Sequence, residues 1–392
     1  MIRYSSIKTL LKLKKDKYTN EHAYITHYLQ NPDNEEYELK AKKYILSRTK
    51  DKPLEKSKLL PAQWDVPFPP VENPSFKFID LFAGIGGFRI ALQNLSGKCV
   101  FSSEINNAAK QTYEANFGEY PFGDILDFSG TDVTDEQVKK LIPDHNILAA
   151  GFPCQPFSLA GVSARNFLGQ QHGFSDKDKG NLFFDIARIV DIKRPEVVFL
   201  ENVKNFKGHD GGNTYLTVKK TMEDLGYSFF SEVINAEKAV PQRRQRFYMV
   251  CFKDNRKTFE FPVFVGEPKK LSSILQPIVS TEYTISDKLW EGHINRTKRN
   301  IERGTGFTAH VADLDKPSKT LVARYGKDGK ECLIPQEGMN PRKLTPRECA
   351  RLQGFPEEFI LPSTNAPAYH QFGNSVAVPV IQAIAEKILN QL

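Results

Sequence analysis

The sequence predicts an α/β protein built on a doubly wound, mostly parallel sheet with helices on both faces. From Phe76 onwards, short apolar segments alternate with helical patterns, and this alternation is typical of βαβ units. A glycine turn, "AGIGG", joins the first of these strands to the first helix, at the position where sheets of this class commonly bind a ligand. With 392 residues, the chain is long enough for this domain and a smaller one.

Each element of the sheet follows from a local pattern. Strands are indicated by apolar runs rich in β-branched and aromatic residues, and helices by apolar residues three or four positions apart. The predicted strands are "FKFIDLF" (76–82), "KCVFSSE" (98–104), "NILAAG" (146–151), "EVVFLEN" (196–202) and "RFYMVCF" (246–252). The predicted helices between them lie at about 87–95, 104–117, 135–142, 182–193 and 213–225.

The rest of the chain divides around this core. Residues 1–60 alternate Lys with Leu, Ile and Tyr and predict a basic helical N-terminal extension, followed by a Pro-rich linker at 61–75. The core itself is predicted to span 76–262. After it, 263–340 is predicted to be a smaller irregular domain. Residues 341–392 then form a return segment whose C-terminal helix completes the core.

Composition excludes several classes of protein. The five cysteines show no metal-ligand spacing, which argues against a metal site or a disulfide framework. Because no apolar stretch reaches the roughly 20 residues of a membrane helix, we expect a cytoplasmic protein with no membrane contact. Residues 1–60 hold 14 Lys or Arg and 8 Asp or Glu, a net charge of +6. That charge fits a solvated helical tail or an arm that contacts a polyanion, and charge alone leaves both open.

The glycine turn predicts a cofactor site. Gly84 and Gly86 allow a tight turn before a helix N-terminus, and Glu104 follows 20 residues after Gly84, where a carboxylate can bind ribose hydroxyls. Arg89 occupies the third glycine position of the dinucleotide pattern. This departure favours a nucleoside ligand without a pyrophosphate, such as S-adenosylmethionine. Asp124 in "GDI" is a further candidate acid, or a turn residue.

A second set of residues predicts covalent chemistry at the ends of later strands. Cys154 in "GFPCQPFSLAGVS" follows one strand, Glu201 ends the next, and Arg244 and Arg246 in "PQRRQR" precede the last. Alone, each is as well explained by packing, capping or solvation. Together they match cytosine C5 chemistry: a thiolate adds to C6, a carboxyl group pairs with N3, and arginines hold the base.

The order of the motifs resembles that of the DNA (cytosine-5) methyltransferases. "DLFAGIGG", "GFPCQPFS", "ENV", "QRRQR" and "QFGNSVAVPV" occur in the family's order between Phe76 and Leu392. The sequence around Cys154, together with "KLTPRECARLQGF", is most similar to that of the bacterial Dcm-type methylases. The resemblance implies a Rossmann-like methyltransferase fold, with a target-recognition domain at 263–340.

The resemblance also implies residue roles. Cys154 would be the nucleophile, Glu201 the partner of cytosine N3, and Arg244 and Arg246 the residues that hold the flipped base and its backbone. Residues 155–179 resemble the loop that closes over that base. The implied S-adenosylmethionine pocket is lined by Phe82, Gly84, Gly86, Glu104, Ile105, Asp124, Leu182 and Asn374. At Ile105 many relatives carry an aromatic ring against the adenine. No metal is implied.

The expected partner is double-stranded DNA, with the chain acting as a monomer. A restriction endonuclease that acts on the same site is a candidate partner. Recognition of CCWGG is suggested by the Dcm-type motifs, but the recognition region is short for a close Dcm relative. The alternatives are a tRNA cytosine-5 methyltransferase, a non-catalytic DNA-binding regulator and a dinucleotide oxidoreductase. For residues 1–60 we expect an accessory arm that adds phosphate contacts.

Overall fold

The computed structural model describes residues 2–13, 20–49, 59–153, 182–304, 308–309 and 311–392. The chain forms two compact units. The first takes in the described residues up to Val233, together with Arg246–Phe261 and Ile384–Leu392, and the second takes in Ile234–Gln245 and Pro262–Ala383. In the part of the chain that the structure describes, no helix is long and apolar enough to cross a membrane.

Ten strands are described. They are β1 (Ile2–Arg3), β2 (Ala62–Gln63), β3 (Phe76–Leu81), β4 (Gly97–Ser103), β5 (Ile147–Gly151), β6 (Val197–Val203), β7 (Phe230–Asn235), β8 (Gln245–Phe252), β9 (Ile334–Gln336) and β10 (Met339–Arg342).

The described helices fall into three groups along the chain. The N-terminal extension holds α1 (Tyr4–Leu10), α2 (Glu21–Gln30) and α3 (Glu35–Arg48). The helices among the central strands are α4 (Gly87–Gln93), α5 (Asn107–Phe117), α6 (Leu126–Ser129), α7 (Asp135–Leu141), α8 (Leu182–Lys193) and α9 (Asn213–Asp224). The later helices are α10 (Asp287–Glu302), α11 (Tyr325–Asp328), α12 (Pro346–Leu352), α13 (Asn365–Asn374) and α14 (Val378–Leu389).

The central sheet has six strands in the order β4-β3-β5-β6-β8-β7. Strands β4, β3, β5 and β6 pair in parallel, whereas β8 is antiparallel to β6. Strand β5 is almost wholly buried, as expected for a parallel strand covered by helices on both faces. The α/β, mostly parallel prediction is confirmed. All five predicted strands and the five helices between them are present within a few residues of their expected bounds.

Several elements were missed, among them an edge strand and a long helix. Strand β7 forms one end of the sheet, and the side chains of Glu232 and Val233 are exposed there. Within 263–340, predicted to be irregular, helix α10 runs for 16 residues. At the start of this helix, the side chain of Ser286 accepts a hydrogen bond from the Leu289 N–H. Only His293 of the helix is buried. Polar residues make up most of α10, and the prediction overlooked its few apolar residues, among them Trp290, Ile294 and Ile301, although these recur at helical spacing.

The predicted N-terminal helices are confirmed, and they pack into the first unit. Apolar residues of α1 to α3 share one core cluster with β4 and the segment that follows α5, including Tyr37, Phe101 and Phe122. Ala62–Gln63, in the segment predicted to be a linker, pairs in parallel with Ile2–Arg3. The extension is therefore a layer of the first unit rather than a solvated tail.

Candidate functional site

Because of the strand directions, Glu201 and Arg246 lie at the same edge of the sheet. Because β5 and β6 are parallel, their carboxyl ends meet there, and Gly151 is the register partner of Glu201. Strand β8 runs in the opposite direction, so its first residues reach the same edge, with Arg246 opposite Val203. Glu201 and Arg246 are 45 residues apart along the chain, but their strands are neighbours in the sheet.

Glu201 and Arg246 form the centre of this edge. The Nε of Arg246 lies 3.1 Å from Oε1 of Glu201, and both side chains are largely buried. The Glu201 side chain approaches Gly151, where an added Cβ would lie 3.7 Å from Oε2. Next to Glu201, the Asn202 side chain donates a hydrogen bond to the carbonyl oxygen of Phe152 at 3.0 Å. The structure therefore brings Glu201 and Arg246 together beside the "GFP" stretch.

The predicted nucleophile, Cys154, lies outside the described residues, as does the predicted loop at 155–179. The described chain stops at Pro153 and resumes at Leu182. The role of Cys154 therefore remains a prediction.

Arg244 belongs to the second unit, and its side chain is only 2% exposed. Its guanidinium donates hydrogen bonds to the carbonyl oxygens of Leu321 at 3.1 Å, Gly373 at 3.3 Å and Ser375. Gln242 is equally buried: it donates to the Leu352 carbonyl oxygen and accepts from the Leu321 N–H. Arg244 therefore connects the "QRR" turn to the "GNS" turn of its own unit by hydrogen bonds. Its contact with the base stays a prediction.

The glycine turn between β3 and α4 has an unusual backbone. Phe82, Gly84 and Gly86 all have positive φ angles, 55°, 56° and 85°. No described heavy atom lies within 4 Å of the place where a Cβ of Gly84 would stand, so the turn leaves open space. At Gly86 an added Cβ would overlap the ring of Phe117. Only glycine combines that backbone angle with that close contact.

Glu104 links the glycine turn to the end of β4. Its carboxylate accepts hydrogen bonds from the Gly84 N–H at 2.8 Å and the Asn106 N–H at 2.7 Å. Burial raises the pKa of Glu104 above its usual value, although these two N–H donors act in the opposite direction. The neighbouring Ile105 is 70% exposed, as an apolar face offered to a ligand would be. The predicted spacing of 20 residues between turn and acid thus corresponds to a direct contact.

Other predicted cofactor residues are less distinctive. Asp124 is partly buried, and one carboxylate oxygen accepts from the Leu126 N–H at 3.1 Å, as a turn residue would. Leu182 begins α8 and packs against the core cluster of the first unit. Asn374 lies in the second unit, where it is exposed and its amide is 3.4 Å from Nε2 of His370.

Sequence reasoning missed one titratable group near Asp124. Burial raises the pKa of Asp185 to about 6, and the charge of Asp124 acts in the same direction. The Ser129 hydroxyl donates a hydrogen bond to Asp185 at 3.0 Å. Its position on the first turn of α8, three residues after Leu182, is the signal that identifies it.

The turn fits a nucleoside-type cofactor better than a metal. Gly84 leaves open space beside a buried carboxylate, and an exposed aliphatic side chain follows that carboxylate. These are groups for ribose hydroxyls and an aromatic base. Over the described ranges, no cluster of three or more His, Cys, Asp or Glu side chains could hold a metal ion.

Comparison with known proteins gives sequence matches over most of this chain. A sequence model of the C-5 cytosine-specific DNA methylases matches residues 76–390. The type II methyltransferase M.DsaV of Dactylococcopsis salina is 46% identical over 327 residues, covering 82% of this chain and 88% of that protein. The DNA-cytosine methyltransferase of Escherichia coli K12 is 39% identical over 374 residues, covering 82% and 79%.

A solved structure supports the fold. The S. pombe methyltransferase Dnmt2 superposes with a TM-score of 0.62 at 19% identity, covering 81% of this chain and 98% of that chain. At this identity the likeness concerns the fold alone. The fold of this chain therefore belongs to a known architecture.

Proposed function

We propose, for a chain that belongs to the C-5 cytosine-specific DNA methylase family, that a flipped-out cytosine in a specific duplex sequence is methylated through a covalent adduct with Cys154. Family membership makes the chain a DNA (cytosine-5-)-methyltransferase and implies S-adenosylmethionine as the methyl donor. The adduct, the rotation of the base and the residue roles are the proposal.

One observation carries the proposal: Glu201 lies opposite Gly151 at the carboxyl edge of the sheet, with Arg246 against it at 3.1 Å. Cys154 follows Gly151 by three residues in the sequence. A carboxyl group and a guanidinium beside the strand that leads to the thiol are the groups that the cytosine reaction requires.

The proposed reaction begins with the thiolate of Cys154. Its sulfur bonds to C6 of cytosine, the C5–C6 double bond opens, and the electron pair moves towards C5 and N3. The carboxyl group of Glu201 delivers a proton to N3, and the Arg246 guanidinium stabilises the carboxylate that remains. S-adenosylmethionine supplies an electrophilic methyl group for C5. Transfer of that methyl group would break its bond to the sulfonium sulfur and release S-adenosylhomocysteine. Loss of the C5 proton to solvent then expels the Cys154 thiolate, and the N3 proton returns to the Glu201 carboxylate, which restores the neutral aromatic base.

A base stacked in a duplex cannot reach a thiol, so the target cytosine has to rotate out, at a cost of a few kcal/mol. We assign closure over the rotated base to residues 155–179, base and backbone contacts to Arg244 and Arg246, and target recognition to 263–340. The cofactor-binding residues in this proposal are Phe82, Gly84, Gly86, Glu104, Ile105, Asp124, Leu182 and Asn374.

The type II names of several relatives support a place in a restriction-modification system. A restriction endonuclease that cuts the unmethylated site would then be the partner enzyme. The methyltransferase itself is proposed to act as a monomer on double-stranded DNA, without a metal.

The covalent step is tested with duplex DNA that carries 5-fluorocytosine at the target. Fluorine at C5 cannot leave as a proton does, so the parent should form a complex with this DNA that survives denaturing electrophoresis. Cys154→Ser should lose both the complex and at least 1000-fold of the turnover, on the order expected for loss of a nucleophile. Cys251→Ala is the control, because burial raises the pKa of that thiol far above its usual value. A Cys154→Ser enzyme with turnover within about tenfold of the parent would remove the covalent mechanism.

The role of Glu201 is tested separately. Glu201→Gln should slow methylation by at least about 100-fold, the usual contribution of a positioned proton donor. Binding of S-adenosylmethionine, measured by calorimetry without DNA, should stay unchanged. A full-rate variant contradicts the assignment. Methyl transfer to RNA but not to duplex DNA in the same assay would replace the substrate assignment.

A further inference from the structure

The N-terminal extension touches the cofactor side of the first unit through polar side chains of helix α2. The family match begins at Phe76, so this helix lies outside it. Four of its contacts are hydrogen bonds to backbone groups at positions 102–123. They join Asn20 to Gly123, Thr26 to Tyr120, His27 to Ser102 and Gln30 to Phe117. Such long-range polar contacts distinguish this layer from simple hydrophobic docking.

The segment 120–123 is held from two sides. On one side it pairs with the end of β4: the Phe122 N–H donates to the Ser102 carbonyl oxygen, and the Glu104 N–H donates to the Phe122 carbonyl oxygen, both at 2.9 Å. On the other side, the Tyr120 N–H donates to Thr26 Oγ1 at 2.9 Å. This segment therefore connects helix α2 directly to Glu104, and Asp124 follows at its end.

Among these residues, Asn20 makes the contact that lies next to Asp124. It occupies the N-cap position of α2, where an Asn side chain normally accepts a hydrogen bond from its own helix. No such bond is formed. Its side-chain oxygen instead accepts from the Gly123 N–H at 3.0 Å, across 103 residues of sequence. Asn20 therefore bonds to the residue next to Asp124 instead of capping its own helix.

The inner part of α2 supports the glycine turn in the same way. Gln30 is 4% exposed; its amide donates to the Phe117 carbonyl oxygen at 2.7 Å, and its oxygen accepts from Arg89 at 2.9 Å. The ring of Phe117 packs against Gly86, where it leaves no room for a Cβ. Arg89 itself pairs with Glu119 at 2.8 Å, with both side chains buried. The extension therefore enters the polar network beneath the turn.

We infer that helix α2 is a positioning element of the S-adenosylmethionine site, with Asn20 as the positioning residue for the Gly123–Asp124 segment. This inference rests on the proposed function, because it concerns the cofactor site assigned there. Asn20 acts through the backbone of Gly123 and is assigned no contact with the cofactor. Its loss should weaken cofactor binding without altering the chemical step.

The test compares two asparagines at helix N-caps of the extension. Asn20→Ala removes the bond to Gly123, whereas Asn34→Ala removes a true cap, because Asn34 accepts from the Tyr37 N–H at the start of α3. Binding of S-adenosylmethionine to the full chain is measured by calorimetry without DNA, beside the melting temperature and the KM and kcat for methylation. Asn20→Ala should raise the Kd and the KM for S-adenosylmethionine about fivefold, the value of one hydrogen bond. Its kcat should stay near that of the parent.

Two further comparisons separate positioning from stability. Asn34→Ala should lower the melting temperature and leave the cofactor Kd unchanged. Asn20→Asp keeps an acceptor oxygen and should restore binding to within about twofold in about 0.3 M salt, which screens the added charge. An unchanged Kd in Asn20→Ala, or a Kd that rises in both alanine variants in step with lost stability, overturns the inference. If the parent itself fails to bind S-adenosylmethionine, the proposed function fails instead.

Discussion

The N-terminal extension and the 263–340 segment both flank the sheet-forming sequence, but their helices differ in how much of their surface is buried. In the extension, Lys8, Lys40, Lys42 and Arg48 all pair with carboxylates. In the other segment, helix α10 buries little more than His293 and leaves most of its cations exposed. Ion pairs occur in both regions, since Lys270, Lys316 and Arg324 of the second segment also contact carboxylates. A count of charges favours the extension as the polyanion-binding region, whereas we predict that the exposed cations of α10 make this contact.

The largest effect should come from the buried ion pair beneath the extension. Glu119→Ala leaves the Arg89 guanidinium, 0% exposed, without its carboxylate partner. Removal of one member of a buried pair costs about 3–5 kcal/mol, so urea should unfold this variant far more easily than the parent. The matched change outside the extension is Lys270→Ala, because Lys270 and Asp315 form an exposed pair. That variant should stay within about 0.5 kcal/mol of the parent. Equal losses of stability in the two variants would contradict the predicted difference between the two regions.

The extension should also give the protein an acid-sensitive attachment. Burial alone would raise the pKa of Glu114, but the hydrogen bond and charge of His22, with those of Lys8, lower it to about 2. A lowered pKa in the folded state means that the stabilisation is present above the ordinary value of 4.5 and is lost as pH falls towards 2. The contribution is about 2 kcal/mol after allowance for screening. Glu114→Gln should therefore flatten the stability profile between about pH 4.5 and 2.

The control for this profile is Glu136→Gln. Glu136 lies in an exposed pair with Lys139, and its loss should leave the acid limb of the profile unchanged. A parent protein whose stability does not fall in acid would show that Glu114 is not held as the structure indicates.

A third comparison addresses DNA contact directly. Lys298 and Arg299 of α10 are exposed, as are Lys42 and Lys43 of α3. Replacing the α10 pair by alanine should weaken DNA binding about tenfold and reduce the slope of log K against log salt by about 2, as expected when two phosphate contacts are lost. Replacing the α3 pair should change neither quantity. The opposite result would restore the view of the extension as a phosphate-binding arm.

The smallest expected effects concern helix caps. Ser286→Ala and Asn34→Ala each remove a side-chain cap, at a cost of about 1 kcal/mol. Hydrogen exchange should show the Asn34→Ala loss across the core of the first unit, because α3 packs into it. The Ser286→Ala loss should be confined to α10, which is largely exposed. Global changes in both variants would mean that the two helices are equally integrated.

The sequence predicted the sheet well because its strands are long and apolar. Strand β7 was missed, since Ser231 and Glu232 interrupt its apolar run. Helix α10 was missed because its apolar residues are few, although they recur at helical spacing and Ser286 followed by Asp287 is a start signal. Both signals together could have identified this helix.

The candidate site was predictable in its composition but not in its arrangement. Motif order selected Glu201, Arg244 and Arg246, yet only the structure divides the two arginines, with one against Glu201 and the other against backbone carbonyl oxygens. The bond between Asn20 and Gly123 spans 103 residues, a distance over which local patterns carry no information.

The reversed direction of β8 has a consequence for the engineering of this protein. In an all-parallel sheet, each strand contributes to the active edge only from its last residues. Here β8 contributes from its first residues, because Arg246 stands opposite Val203. A circular permutation that opened the chain just before Gln245 would place a new terminus beside Glu201 and Arg246, whereas the same operation before a parallel strand would place it at the far edge.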